Sequence, residues 1–255
     1  MSNRRERQKR KEARLQEESK VDSQDRRARI LQSAAGTVFV ALAVVVVLIV
    51  VNSNSGSGGD ASNLKEISQV DSLVDGVPQH GMVLGDPNAK VELIEFGDLQ
   101  CPVCKTYSEE ILPKVIEGQV AQGQAKIDFR NYTIIGGQSQ PAGAAALAAG
   151  EQDRGWNYLE LFYRNQGKEN SEYADDEFLT AVAKGAGVKN IAKWNEERNG
   201  SKLTGEVEAT TDEAQRLGFT GTPSFAIRGP STKGIELLGT PSSSGEVEEA
   251  IENAS

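Results

Sequence analysis

The longest apolar run in the chain covers residues 34–51, AAGTVFVALAVVVVLIVV, and contains no charged side chain. At about 1.5 Å per residue in a helix, this run measures roughly 27 Å, which is close to the thickness of the hydrocarbon core of a bilayer. It is too long for a strand of a soluble protein. The run therefore predicts a single uncleaved transmembrane helix, with a cleaved signal peptide as the alternative.

Charged side chains are distributed unevenly on the two sides of this run. Residues 1–33 carry 11 Lys/Arg and 6 Asp/Glu, which leaves 17 Lys/Arg and 31 Asp/Glu for the rest of the chain. Because basic flanks of transmembrane helices stay in the cytoplasm, we expect a cytoplasmic N-terminus and an extracytoplasmic segment 52–255 in a single-pass protein of the cell membrane. A nucleic-acid-binding arm is the alternative for the basic end, but the topology already accounts for the charge, and no nucleic-acid partner is expected.

Strand and helix patterns follow the linker. Alternating branched and aromatic residues predict strands at 90–98 and 125–135, joined by a helix that starts near Cys104 and is kinked at Pro113. Five helical patterns come next, and one carries an aromatic stripe that is expected to pack in the core. Two short strands and a helix end the chain, in TPSFAIRG, KGIELLG and SGEVEEAIEN. This order predicts an α/β domain with a helical insertion at about 140–217.

Composition suggests the boundaries of these regions. Residues 1–33 are expected to form a basic cytoplasmic tail, and residues 34–51 the transmembrane helix. The polar, Gly- and Ser-rich composition that begins at residue 52 predicts a flexible linker and juxtamembrane segment over 52–77, which includes a short helix. The folded domain is expected to span 78–255.

The candidate chemistry lies in the stretch DLQCPVCK, which contains both cysteines of the chain, Cys101 and Cys104. A structural zinc site needs four ligands, whereas the sequence offers two Cys and one His, so no metal is expected. That histidine, His80, is expected in a surface loop. A disulfide between Cys101 and Cys104 would close too short a loop to add much stability to a chain of 255 residues. The pair is therefore expected to be a redox centre, in which one thiolate attacks and its neighbour resolves the mixed disulfide.

Position on the predicted helix distinguishes the two thiols. Pro102 suits the first position of a helix, because its missing N–H group would be unpaired there anyway. Cys101 would then lie at the helix N-terminus, where free N–H groups and the helix dipole favour the thiolate. Cys104, one turn further, is expected to be more buried and a poorer nucleophile.

Two acidic residues precede the cysteines. If the first strand is central in a sheet, both of its faces are covered, and Glu95 would be buried beneath the cysteine pair. A buried carboxyl group tends to hold its proton at neutral pH and could exchange it with Cys104. An exposed Glu95 on an edge strand is the alternative. Asp98 is expected to be a solvated charge at the end of the strand.

Three ordered segments carry a resemblance to a known family: GVPQHGMVLGDPNAKVELIEFGDLQCPVC, AAALAAGEQDRGWNYLELF and LGFTGTPSFAIRG. From about Gly76 onward the chain resembles the membrane-anchored, DsbA-like thiol–disulfide oxidoreductases of the thioredoxin superfamily, a type common in Gram-positive and actinobacterial envelopes. The resemblance implies a thioredoxin-like fold with an inserted helical domain, preceded here by the single transmembrane helix. No cofactor is expected.

The resemblance also implies roles for individual residues. Cys101 corresponds to the attacking cysteine, Cys104 to the resolving one, and Glu95 to a buried carboxylate of the family. Thr222-Pro223 corresponds to a cis-proline turn that the family places beside the cysteines. Thr222 is expected to pair with an extended substrate backbone. Pro102 and Val103 of the redox motif are also expected to contact substrate, although Val103 departs from the histidine of the best-known strong oxidants.

The expected function is that of an extracytoplasmic thiol–disulfide oxidoreductase. It would introduce disulfides into exported proteins through the Cys101–Cys104 pair. The resemblance implies reoxidation by a membrane partner of the DsbB or vitamin-K-epoxide-reductase type. Two alternatives stay open: a disulfide reductase or isomerase of the envelope, and a non-enzymatic binding or scaffold protein with a thioredoxin fold.

Overall fold

The computed structural model describes residues 59–255, which belong to one compact unit. The predicted cytoplasmic tail, the transmembrane helix and the start of the linker lie outside the described residues. Within residues 59–255, no helix combines the length and the apolar character needed to cross a bilayer.

A six-stranded mixed sheet forms the centre of the domain, with strand order β1-β2-β4-β3-β5-β6. Strand β3 is parallel to β4 and antiparallel to β5, so it lies in the interior of the sheet. All seven residues of β3 are buried, as expected for a strand with both faces covered. The strands are β1 (Gln79–His80), β2 (Val83–Leu84), β3 (Val91–Gly97), β4 (Ala125–Asn131), β5 (Ser224–Arg228) and β6 (Glu236–Gly239).

Helices cover this sheet and form the insertion between β4 and β5. The predicted insertion at about 140–217 is observed as five helices, α4 to α8, between residues 139 and 216. The helices are α1 (Ile67–Val74), α2 (Pro102–Thr106), α3 (Leu112–Val115), α4 (Ser139–Gly150), α5 (Gly155–Arg164), α6 (Asp176–Gly185), α7 (Ile191–Arg198), α8 (Ser201–Arg216) and α9 (Ser244–Ala254).

The helical segment after the cysteines is irregular. α2 continues into a π-helical stretch at Tyr107–Ile111, then into α3, and then into a second π-helical stretch at Ile116–Val120. Pro113, near the start of α3, has no N–H to donate to the preceding turn, which explains why regular α-helical bonding is interrupted here. The sequence predicts this interruption at Pro113 but not its π-helical form.

The insertion packs through small and aromatic residues. α4 is rich in alanine and buried at ten of its twelve positions, because small side chains let neighbouring helices approach closely. The aromatic stripe of α5 lies in the core as predicted, with Trp156, Leu159, Phe162 and Tyr163 all at most 1% exposed.

The packed part of the chain extends further toward the N-terminus than Pro78, the predicted start of the domain. α1 buries Val70, Leu73 and Val74 and packs against α5. The side chain of Asn165, just after α5, accepts a hydrogen bond from the Lys65 N–H at 2.8 Å and donates to the Lys65 carbonyl at 3.1 Å. Most of the segment expected as a linker is therefore part of the folded unit.

The hairpin of β1 and β2 is not predicted by the sequence. Each strand has two residues, too few for any alternation to be recognised, and Gly81 makes the turn between them with φ +59°. His80 therefore lies on a short strand and not in a loop. Its side chain is 97% exposed, and Nδ1 is 3.3 Å from Asp153 Oδ1.

Candidate active site

The two cysteines follow the central strand directly. Cys101, the fourth residue after β3, is the N-cap of α2, and Pro102 occupies the first turn. Both thiols are free, Cys101 is 4% exposed and Cys104 is fully buried. The local arrangement of strand, Cys-x-x-Cys and helix is the one that the sequence predicts.

The environment of Cys101 favours its thiolate. A hydrogen bond with the Cys104 thiol is the largest of the causes that lower the pKa of Cys101 to about 6, against the opposing effect of burial. The side chain of Thr222 and the N–H groups of Val103 and Cys104 also lower the pKa of Cys101 and so favour the thiolate. These two N–H groups belong to the first turn of α2, so the helix N-terminus acts on the sulfur as expected.

Thr222-Pro223 lies beside Cys101, although about 120 residues separate them in the sequence. The peptide bond is cis, as the resemblance implies. The Cys101 Sγ donates a hydrogen bond to the Thr222 carbonyl at 3.3 Å, and Pro223 itself is buried. The structure thus places the Cys-x-x-Cys motif next to the Thr222-Pro223 turn.

Cys104 has the opposite character. Burial is the main cause that raises the pKa of Cys104 well above its usual range, and Cys101 and Glu95 raise it further through their charges. A sulfur that resists ionisation is a poor attacking group. The two thiols thus differ in the direction that the predicted order, attack by Cys101 and resolution by Cys104, requires.

Glu95 is buried in β3, 1% exposed, and not on an edge strand. Neither of its carboxyl oxygens has a hydrogen-bond partner within the described part of the chain. Burial is the main cause that raises the pKa of Glu95 to about 8, with further contributions from the charges of Glu160 and Cys101. A carboxyl group with this pKa can both give and take a proton near neutral pH, which suits exchange with Cys104.

A second buried carboxyl group, Glu160 of α5, lies within electrostatic range of Glu95 and is not identified by the sequence analysis. Its Oε2 accepts a hydrogen bond from Ser108 Oγ at 3.0 Å and pairs with Arg164. The Arg164 Nε lies 3.4 Å from Glu66 Oε2, at the start of α1. A glutamate inside the aromatic stripe is the one sequence signal that could have indicated this group.

The sequence predicts that Asp98 is a solvated charge at the end of the strand, and this prediction is wrong because the residue is fully buried. Its Oδ1 accepts the Gln100 N–H at 2.9 Å. Its Oδ2 accepts the N–H groups of Ile134 and Ile135 at 2.8 and 2.9 Å. Asp98 thus joins the redox loop to the segment after β4, with both carboxyl oxygens occupied.

The expected substrate-contacting residues lie around Cys101. Pro102 is exposed, and Val103 is 52% exposed, which is unusual for a large apolar side chain. Thr222 is partly exposed, and its carbonyl is engaged by Cys101. Within residues 59–255, no cluster of three or more His, Cys, Asp or Glu side chains is suited to hold a metal ion.

Comparison with known proteins agrees with this geometry. Residues 78–253 match a family model described as Thioredoxin. A Bacillus cereus protein named "Probable disulfide bond formation protein D" is 30% identical over 149 residues, which cover 57% of this chain and 69% of that protein.

Two solved structures share the fold. BdbD from Bacillus subtilis, in its oxidised form, matches with a TM-score of 0.61 and 24% identity over 71% of this chain and 98% of its own. Alpha-DsbA1 from Wolbachia pipientis matches with a TM-score of 0.57 and 21% identity over 71% and 91%. The chain therefore belongs to the thioredoxin family, as a DsbA-like thiol–disulfide oxidoreductase.

Proposed function

We propose that this protein works as an oxidase, which passes the Cys101–Cys104 disulfide to reduced protein thiols. A substrate thiolate attacks Cys101 Sγ, the Cys101–Cys104 bond breaks, and Cys104 leaves and takes up a proton that Glu95 can supply. A second substrate thiolate then attacks the substrate sulfur of the mixed disulfide and releases the Cys101 thiolate. The substrate gains one disulfide, and two electrons remain on the reduced cysteine pair.

The main support for the oxidising direction is that the surroundings of Cys101 stabilise its thiolate. With a pKa of about 6, this thiol is ionised by about ten to one at pH 7. Stabilising the thiolate favours the reduced form of the pair, which makes its disulfide a stronger oxidant. The name of the Bacillus cereus relative, a probable disulfide bond formation protein, supports the same direction.

The proposed site of action is outside the cytoplasmic membrane, with newly exported proteins as substrates. The apolar run at 34–51 and the basic residues before it support a membrane anchor with the catalytic domain outside. An oxidase needs an electron acceptor for each cycle. The resemblance of the chain to DsbA-like enzymes supports a DsbB-like or vitamin-K-epoxide-reductase-like membrane protein in that role.

A redox titration of the cysteine pair, combined with oxidative refolding of a reduced substrate protein, tests the direction. For an oxidase we expect a potential closer to about −120 mV than to about −270 mV, the values typical of a strong oxidant and of a reductant. Stoichiometric oxidised protein should form disulfides in the substrate. A potential near the lower value would favour a reductase or isomerase, and an unchanged cellular function in Cys101→Ser would favour a scaffold.

The order of attack is tested by trapping. Cys104→Ser should accumulate mixed disulfides with substrate proteins, because the Cys101 thiolate can still attack a substrate disulfide and displace one of its sulfurs, in the reverse of the proposed reaction, and Cys104 is no longer there to resolve the product. Cys101→Ser should accumulate none, since the remaining buried thiol of Cys104 resists ionisation. Equal trapping by both variants, seen on non-reducing gels, would contradict the assignment.

A further inference from the structure

The loop from Asp98 to Cys101 turns its carbonyl groups toward the end of α5. Gln166, two residues after α5, donates from Nε2 to the Leu99 carbonyl at 2.7 Å and to the Cys101 carbonyl at 3.1 Å. The Tyr163 hydroxyl donates to the Asp98 carbonyl at 3.3 Å. Three carbonyls of this four-residue loop are therefore held by side chains of the helical insertion.

The two contacts of Gln166 use both hydrogens of its amide group, one for each carbonyl. The Cys101 carbonyl also accepts the Lys105 N–H at 3.1 Å, the first backbone hydrogen bond of α2. Gln166 therefore holds the residue whose backbone begins the helix and whose sulfur reacts. The side chain of Gln166 is only partly exposed, so water does not freely replace it at these carbonyls.

We propose that Gln166 is a positioning residue for the Cys101 thiol, because its amide fixes the redox loop against α5 and so aligns Sγ with the N-terminus of α2 and with Thr222. The proposal rests on the proposed role of Cys101 as the sulfur that exchanges with substrate. The helical insertion, through Gln166, thereby contributes to the reactivity of a cysteine that belongs to the thioredoxin part of the fold.

The titratable groups that interact with Cys101 come from three elements packed around it. They are Cys104 of α2, Glu95 of β3 and Tyr163 of α5. Cys104 lowers the pKa of Cys101, whereas the charge of Cys101 raises the pKa values of the other two groups. Gln166 carries no charge, so replacing it with another neutral residue leaves these groups in place. Any change in the ionisation of Cys101 would then report a change in the position of the loop.

The variant Gln166→Met tests the proposal, because it keeps the length of the side chain but removes both N–H donors. In the full-length reduced protein, kept in detergent, the pH dependence of iodoacetamide alkylation should report a Cys101 pKa raised by about one unit. That shift corresponds to an about tenfold loss of thiolate below both pKa values. Gln166→Asn, which is one methylene shorter and should not reach the two carbonyls, should shift the pKa in the same direction.

The matched control is Gln122→Met, which changes an exposed glutamine in the turn after the helical segment that begins with α2. It should leave the alkylation profile unchanged. If wild type shows the low pKa and both Gln166 variants keep it, even with lowered thermal stability, the positioning role is wrong. If wild type itself shows an ordinary thiol pKa, the role proposed for Cys101 fails first, and the role of Gln166 fails with it.

Discussion

Two carboxyl groups lie three positions apart around the end of β3 and have opposite environments. Asp98 is buried and accepts three backbone N–H groups, from Gln100, Ile134 and Ile135. Glu95 is equally buried, but its oxygens have no partner among the described residues. The comparison teaches that burial alone does not assign a role: hydrogen bonds make Asp98 a structural element, whereas their absence makes Glu95 a group that can exchange protons.

The largest effect is expected from removing the hydrogen-bonded carboxyl group. Asp98→Ala leaves three N–H groups without their acceptor, and we expect it to lower the free energy of unfolding by about 3–5 kcal/mol. Denaturant unfolding at neutral pH measures this loss. Asp212→Ala, at an exposed position of α8, is the control and should change little. If Asp98→Ala lost no more stability than Asp212→Ala, the hydrogen bonds of Asp98 would not give it a structural role that Glu95 lacks.

Glu95→Gln is expected to raise the free energy of unfolding, whereas Asp98→Ala lowers it. Between pH 4.5 and about 8, folded Glu95 holds a proton that the unfolded chain has released, so its contribution to stability falls as pH rises across this window. Glu95→Gln has no carboxyl group to titrate at this position, so the variant does not show this decline in stability. We expect its advantage in stability over wild type to grow with pH across the window, from little at the lower end to several kcal/mol at the upper end. Unfolding curves at several pH values test this, and a pH-independent difference would contradict it.

A kinetic effect should accompany this gain in stability. Because the side-chain amide introduced by Glu95→Gln cannot transfer a proton to or from Cys104, we expect thiol exchange near neutral pH to slow by about tenfold or more. Stopped-flow measurements with a reduced substrate peptide provide the rate. Glu117→Gln, an exposed neutral substitution, is the control. Wild-type rates across the pH range in Glu95→Gln would show that the carboxyl group takes no part in exchange.

The smallest effect is expected from the second buried carboxyl group. Glu160→Gln removes a charge that raises the pKa of Glu95, so that pKa should fall by about half a unit to one unit. The window in which stability declines with pH would then end at a lower pH. Glu110→Gln, on the exposed side of the π-helical stretch, should leave the window in place. An unshifted window in Glu160→Gln would show that the two carboxyl groups are independent.

The sequence predicts the parts of the site that depend on local pattern. β3, the cysteine pair and the start of α2 follow from alternation, spacing and Pro102. The environment of Asp98 does not, because its partners Ile134 and Ile135 lie 36 and 37 residues further along the chain. Glu160 was missed for the same reason, since only folding brings α5 against the helical segment that follows the cysteines. The position of Thr222 beside Cys101 followed from family resemblance and not from pattern.

The helix α1 has a practical consequence for anyone who expresses this enzyme without its N-terminal residues. The family match begins at residue 78, which suggests a natural place to cut. A cut there would remove α1, strip the cover from the apolar surface of α5 against which it packs, and take away the Lys65 backbone that Asn165 binds. The shorter fragment should aggregate more readily, because newly exposed apolar surface promotes association. A fragment that starts at residue 59 keeps this cover and should remain soluble.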